Sequence, residues 1–309
     1  MYCKKVALVS HDAGGAELLA SYINQSQLTC RLVLEGPAVS VFSRRFGLVQ
    51  TCALQEALSS SEWCLCGTSG QADLEWLAIA KAKETGMRVV SFLDHWMNYP
   101  ERFTRNGIQH LPDEIWVGDK DAEKLAKIHF PNILIRFVRN PYFIDIKKEI
   151  KALEGGNRKL DISGKLVLFV SENISGHPHL KHLDDGYVQY DEFDAIDYFL
   201  ENMNALGERI KSVVIRPHPS DPPNKYERTV EKYSDIVKIS NEKTLLEDIV
   251  ASDIVVGCQS MAMVVGLLAR KKVVSCIPPM GHDCCLPQEN IVRLRELVEQ
   301  KLSASIFFN

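Results

Sequence analysis

Short runs of uninterrupted apolar residues alternate along the chain with stretches whose apolar positions recur every three to four residues. The runs at 6–10, 31–35, 63–67, 88–93, 114–118 and 133–138 read as strands. They are apolar throughout instead of alternating, which predicts a parallel sheet covered on both faces. Residues 16–23, 74–84 and 121–128 predict helices, the second with apolar positions at Leu74, Leu77, Ile79 and Ala80. A polar, glycine-bearing segment at 154–159 breaks the pattern. It then restarts, with strands at 165–171, 212–216, 236–239, 253–257 and 272–277 and helices at 193–210, 245–251, 261–269 and 288–302.

A chain of 309 residues exceeds what one core usually holds, roughly 250–300. The expected organisation is therefore α/β, with two Rossmann-like domains facing a cleft: an N-terminal domain at 1–153, a linker at 154–164 and a C-terminal domain at 165–309. In open α/β sheets ligands bind beyond the carboxyl ends of the strands, so the residues just after each strand are the ones to weigh.

Composition narrows the class. Hydrophobic residues make up 46% and charged residues 25%, as in ordinary folded domains. A net charge of −4 argues against a nucleic-acid partner. No secretory leader is visible and no apolar run nears the roughly 20 residues that span a bilayer, which points to the cytoplasm and leaves peripheral membrane association open. The nine cysteines are odd in number and sit partly in apolar runs, which suits buried, reduced thiols. No CxxC pair suggests zinc. The long segment at 175–190 carries His177, His179, Asp184, Asp185 and Gly186 without metal-ligand spacing, so neither a metal nor a cofactor is expected.

Candidate chemistry gathers after the strands. The first strand runs into His11-Asp12-Ala13-Gly14-Gly15. Gly14 and Gly15 allow close backbone approach at a helix start, but the spacing is neither GxGxxG nor a P-loop. His11 and Asp12 are either catalytic or, for Asp12, a helix cap. Asp94-His95 ends another strand, placed either to deprotonate a hydroxyl or to form a structural hydrogen bond. In the second half Ser171-Glu172-Asn173 ends the first strand, and Arg216-Pro217-His218-Pro219 ends the next. Two prolines hold the backbone around His218, and an immobilised imidazole with an arginine nearby suits a phosphate. Gly257-Cys258-Gln259-Ser260-Met261 then opens a helix, where Ser260 serves as N-cap, as anion ligand, or as both.

The strand ending in Arg216-Pro217-His218-Pro219, followed by residues 252–257 and a Ser260-led helix, resembles the nucleotide-binding half of GT-B glycosyltransferases. The resemblance is to the bacterial surface-polysaccharide and capsule branch: sialyltransferase-like and Kdo-transferase-like enzymes and CDP-glycerol glycerophosphotransferases. UDP-N-acetylglucosamine 2-epimerases are a related group. It covers about residues 165–280; residues 113–119 add an architectural similarity in the first half. It implies that His218 and Ser260 engage the phosphate of a nucleotide-sugar donor, and that the acceptor is a glycan or lipid-linked sugar. The acidic run at Asp184-Asp185 does not stand where that branch carries its base, so no base role passes to it. The expectation is a metal-independent displacement. Arg216 and the Ser260-helix amides assist His218 on the phosphate, and Asp12, His11 or Asp94 deprotonates the acceptor. The rival readings are a sugar-nucleotide epimerase or hydrolase, and a non-catalytic binding protein of a polysaccharide assembly.

Overall fold

The computed structural model describes residues 5–26, 28–70, 72–155, 163–176, 190–240 and 242–307. The chain forms two compact units, Met1–Asp145 and Ile146–Asn309.

The first unit runs β1 (Lys5–Ser10), α1 (Ala13–Ser26), β2 (Thr29–Leu34), α2 (Pro37–Phe46), α3 (Leu54–Ser59), β3 (Trp63–Cys66), α4 (Leu74–Glu84) and β4 (Val89–Leu93). A two-residue hairpin, β5 (Thr104–Arg105) and β6 (Ile108–Gln109), precedes β7 (Glu114–Val117), α5 (Lys120–His129), β8 (Leu134–Phe137) and α6 (Pro141–Leu153), which crosses the division between the units. Among the described residues six strands pair in parallel in the order β2-β1-β3-β4-β7-β8. Every residue of β3, β4 and β7 is buried, which is why these segments are apolar at successive positions instead of alternate ones. Beyond β2 the chain makes one further parallel bridge, Leu32 to Thr51, with the Cys52 N–H donating to the Leu32 carbonyl at 2.9 Å.

The second unit runs β9 (Lys165–Val170), α7 (Glu192–Asn202), β10 (Ile210–Arg216), α8 (Glu227–Lys232), β11 (Val237–Ile239), α9 (Leu245–Ala251), β12 (Ile254–Gly257), α10 (Met261–Leu268), β13 (Lys272–Ser275), β14 (Ile291–Arg293) and α11 (Leu294–Phe307). Its described strands pair in parallel in the order β11-β10-β9-β12-β13-β14. Val167, Phe169, Ile215, Ile254, Val256 and Val274 form a core with Phe199 and Leu294. Helix α10 lies close on the sheet: a Cβ at Gly266 would stand 3.1 Å from Val255 Cβ and 3.2 Å from Val273 Cγ2.

Both units are therefore Rossmann-like, and both have a switch point where the strand order turns back: between β1 and β3, and between β9 and β12. Two element boundaries differ from the sequence expectation. The helix expected over 193–210 ends at Asn202; a 3₁₀ turn at Met203–Leu206 and Gly207 at φ 70° close it, and Ile210 already belongs to β10. The helix expected over 288–302 starts at Leu294, because Ile291–Arg293 pairs with β13 as an edge strand. Among the described residues no helix is long and apolar enough to cross a membrane. The eight described cysteines are free thiols.

Candidate functional site

In the second unit β10 ends at Arg216, and the two prolines stop further pairing. The chain then turns back on itself. The buried Asp221 carboxylate accepts from the His218 N–H at 2.8 Å, the Tyr226 hydroxyl at 2.9 Å and Lys225 Nζ at 2.6 Å. Lys225 also pairs with Glu192 at the start of α7. Burial pushes the Glu192 carboxyl up, but Lys225 and Ser175 outweigh it and hold the group down at about 2. This loop is thus tied to a buried ion-paired cluster of Asp221, Lys225 and Glu192. Above it the His218 ring brings Nδ1 to 2.7 Å from Ser220 Oγ, and the Ser220 N–H donates to the same nitrogen at 3.2 Å.

At the switch point the carboxylate of Glu172, just after β9, accepts from the Cys258 N–H at 3.0 Å and the Gln259 N–H at 2.7 Å. Burial pushes this carboxyl up to about 7, although the Gln259, Cys258 and Ser260 amides pull the other way. The chain's own carboxylate thus occupies the amides expected to hold a donor phosphate. Ser260 caps α10, its hydroxyl accepting from the Ala262 N–H at 3.2 Å, and Met261 begins that helix half-buried. Gln259 is buried, with Oε1 lacking a hydrogen-bond partner. Gly257 is a packing requirement, since a Cβ there would stand 2.9 Å from Val170 Cγ2.

Arg216 is likewise engaged within the chain. As the last residue of β10 it reaches toward α9, donating to Asp248 at 2.7 Å and to the Lys243 carbonyl at 2.8 Å. Its charge is balanced there by Asp248. Ser171 is buried and shares a hydrogen bond of 2.5 Å with Tyr226. Pro219, the residue after His218, is exposed.

In the first unit β1, β3 and β4 deliver their carboxyl ends side by side. Asp12 Oδ1 lies 2.7 Å from His11 Nδ1. The other edge of that ring rests on Gly36, where a Cβ would stand 2.5 Å from Nε2 and where φ is +51°. Asp94 accepts from Arg102 at 2.8 Å and Thr68 at 3.2 Å, and its Oδ2 lies where a Cβ on Gly14 would come within 2.2 Å. A Cβ on Gly15 would stand 3.4 Å from Gly67 Cα. His95 is driven down to about 4 by burial and by Arg102, which keeps it neutral, and its Nδ1 is buried without a partner. Two residues of this cluster carry no motif in the sequence. Arg102 fixes Asp94, and Glu75 accepts from the His11 N–H at 2.7 Å while its Oε2 stays buried and unpaired. Burial pushes the Glu75 carboxyl up to about 7.

His11, Asp12, Gly14, Gly15 and Asp94 thus come together, as do Asn173, His218 and Ser220. The histidines at 177 and 179 and the acidic run at 184–185 lie outside the described residues. Among the described residues no group of three or more His, Cys, Asp or Glu could hold a metal ion.

No family model matches the chain, and no curated protein matches its sequence. Among solved structures it is similar to UDP-GlcNAc 2-epimerase from Methanocaldococcus jannaschii, with a TM-score of 0.58 at 10% identity over 88% of this chain and 83% of that one. It is also similar to an α/β-galactoside α-2,3-sialyltransferase from Photobacterium phosphoreum, with a TM-score of 0.48 at 9% identity over 95% and 99% of the two chains. The E. coli heptosyltransferase WaaC with ADP-2-deoxy-2-fluoro heptose gives 0.45 at 12% identity over 97% and 99%. The epimerase is of a kind that its motifs resemble. At these identities the epimerase match establishes a shared fold of two Rossmann-like α/β domains and nothing finer.

Proposed function

We propose that the protein is a glycosyltransferase that takes a sugar from a nucleotide-activated donor and passes it to a glycan or lipid-linked acceptor in surface polysaccharide synthesis. The observation that carries this reading is the His218 ring. It stands at the carboxyl end of β10, with its backbone N–H held by Asp221 and its Nδ1 facing Ser220. A ring held in this way presents Nε2 as a donor to a phosphate oxygen.

In the reaction the acceptor oxygen attacks the anomeric carbon and the bond from that carbon to the phosphate oxygen breaks. The electron pair leaves with the nucleotide. A preorganised donor at that oxygen stabilises the charge as it develops. The acceptor's proton goes to a carboxylate, for which we assign Asp12 in preference to Asp94, since Asp94 is ion-paired with Arg102. Glu172 adds a constraint: the α10 amides become available to a ligand only if this carboxylate moves.

The test is a thermal-shift titration with CMP, CDP, UDP, GDP and ADP, run beside His218→Ala. A nucleotide at about 100 times its Kd should stabilise the fold by about 2.7 kcal/mol. The expected outcome is a rise for one base, lost in the variant, together with a fall in turnover of about 100-fold or more. A shift that survives in His218→Ala would remove His218 from the phosphate site.

A second reading, sugar-nucleotide epimerisation or hydrolysis, is favoured by the fold match to the 2-epimerase. It predicts that the sugar nucleotide is converted with no acceptor present, whereas the transferase reading predicts that it persists.

A further inference from the structure

The hydrogen atoms around His218 can be assigned one by one, because the network begins at groups that only donate. Asn173 Oδ1 lies 3.1 Å from the Gly176 N–H and 3.5 Å from the Lys225 ammonium. Neither group can accept, so this end of the amide is its oxygen. The amide's Nδ2 must then donate to Ser220 Oγ, 2.9 Å away. The Ser220 backbone N–H points at His218 Nδ1 from 3.2 Å, which makes that nitrogen an acceptor, and the Ser220 hydroxyl, having accepted from Asn173, can give its own hydrogen to the same nitrogen at 2.7 Å. Two donors converge on Nδ1 and leave no place for a proton there.

We infer that Asn173 and Ser220 are positioning residues that fix His218 as the tautomer protonated on Nε2, so that it serves as a hydrogen-bond donor to an anionic oxygen and not as a base. The tautomer stands on the geometry alone; its use by a phosphate rests on the function proposed above. Asn173 is itself confined. A Cβ at Gly176 would stand 2.5 Å from its Oδ1, so the amide packs directly against that glycine. Lys225 in turn is anchored by Asp221 and Glu192. The orientation of one imidazole proton is therefore traceable, through two side chains, to a buried ion-paired lysine.

The test uses the full chain labelled with ¹⁵N-histidine, with the His218 signal assigned by difference from His218→Ala. Long-range ¹H–¹⁵N correlation should show an unprotonated Nδ1 and a protonated Nε2. Asn173→Asp is nearly isosteric but reverses the relay. Its carboxylate accepts from Ser220, the hydroxyl then offers Nδ1 a lone pair, and the Nδ1-protonated form should grow. Ser220→Ala should blur the preference and Ser220→Thr should restore it; an unchanged backbone spectrum establishes that each variant is folded. Finding Nδ1 already protonated in the native protein, or no change in Asn173→Asp, overturns the relay. A second readout separates relay from function. If the tautomer shifts as described, affinity for the nucleotide found by titration should fall about tenfold. A shifted tautomer with unchanged affinity would leave the relay standing and overturn its use by a phosphate.

Discussion

Among the described residues of the first-unit cluster, Glu75 shows most directly how burial rewrites a residue's chemistry. It lies in the first turn of α4, where an acid usually favours the helix dipole from the surface, yet it is only 3% exposed. Its carboxyl moves from 4.5 to about 7, mainly through burial, against the pull of the His11 N–H. The consequence for stability has a definite sign. Below about pH 4.5 the group is protonated in both folded and unfolded chains and costs nothing. As the pH rises toward about 7 the unfolded chain releases its proton first, and stability falls by about 3 kcal/mol. Glu75→Gln keeps an oxygen for the His11 N–H and removes the titration. It should therefore raise Tm at about pH 8 and leave it nearly unchanged at about pH 5. An equal change at both pH values would mean that packing, not charge, governs the site. The residue was illegible in the sequence because nothing local separates a buried Glu75 from a solvated one; its burial comes from β1 and the loop at His11 folding over it. His218 was legible because its flanking prolines constrain it locally. Asn173 and Ser220 are 47 residues apart, and only the sheet brings them together.

At the scale of elements, what the sequence reveals follows from how each element is buried. Strands β1, β3, β4, β7 and β12 are covered on both faces, so their apolar runs are continuous and stand out. Strand β14 is three residues long and passes directly into α11, so its apolar residues merge with the helical pattern. Helix α2 buries Ala38, Val41 and Phe42 at helical spacing after Pro37, a signal present in the sequence and easily passed over in so short a segment. Helix α10 is apolar on nearly every side, and its glycine sets how near it lies to β12. Gly266→Ala would gain about 1 kcal/mol from helix preference and lose about 1–3 kcal/mol from overpacking. The second effect should prevail, because the atoms it meets belong to Val255, which is fully buried in a central strand. We expect a lower Tm; a rise would show that the sheet yields at this contact.

At the scale of the whole molecule each unit carries its own sheet and its own core. Hydrogen exchange in Gly266→Ala should therefore show the second unit's amides losing protection together, with the first unit's core strands unchanged. Loss of protection in β1 and β3 would show that the two units open as one. The Leu32–Thr51 bridge matters at this scale too. An open parallel sheet offers its outermost backbone groups to any passing strand, and long, flat edges are where chains stick to one another. Here the strand beyond β2 has dwindled to a single bridged residue, β11 and β14 have three residues each, and β8 has four. The rims at β8, β11 and β14 are too short to template another chain, so self-association through a sheet edge at high concentration should run through β2, whose six residues are bridged on the outer side only at Leu32.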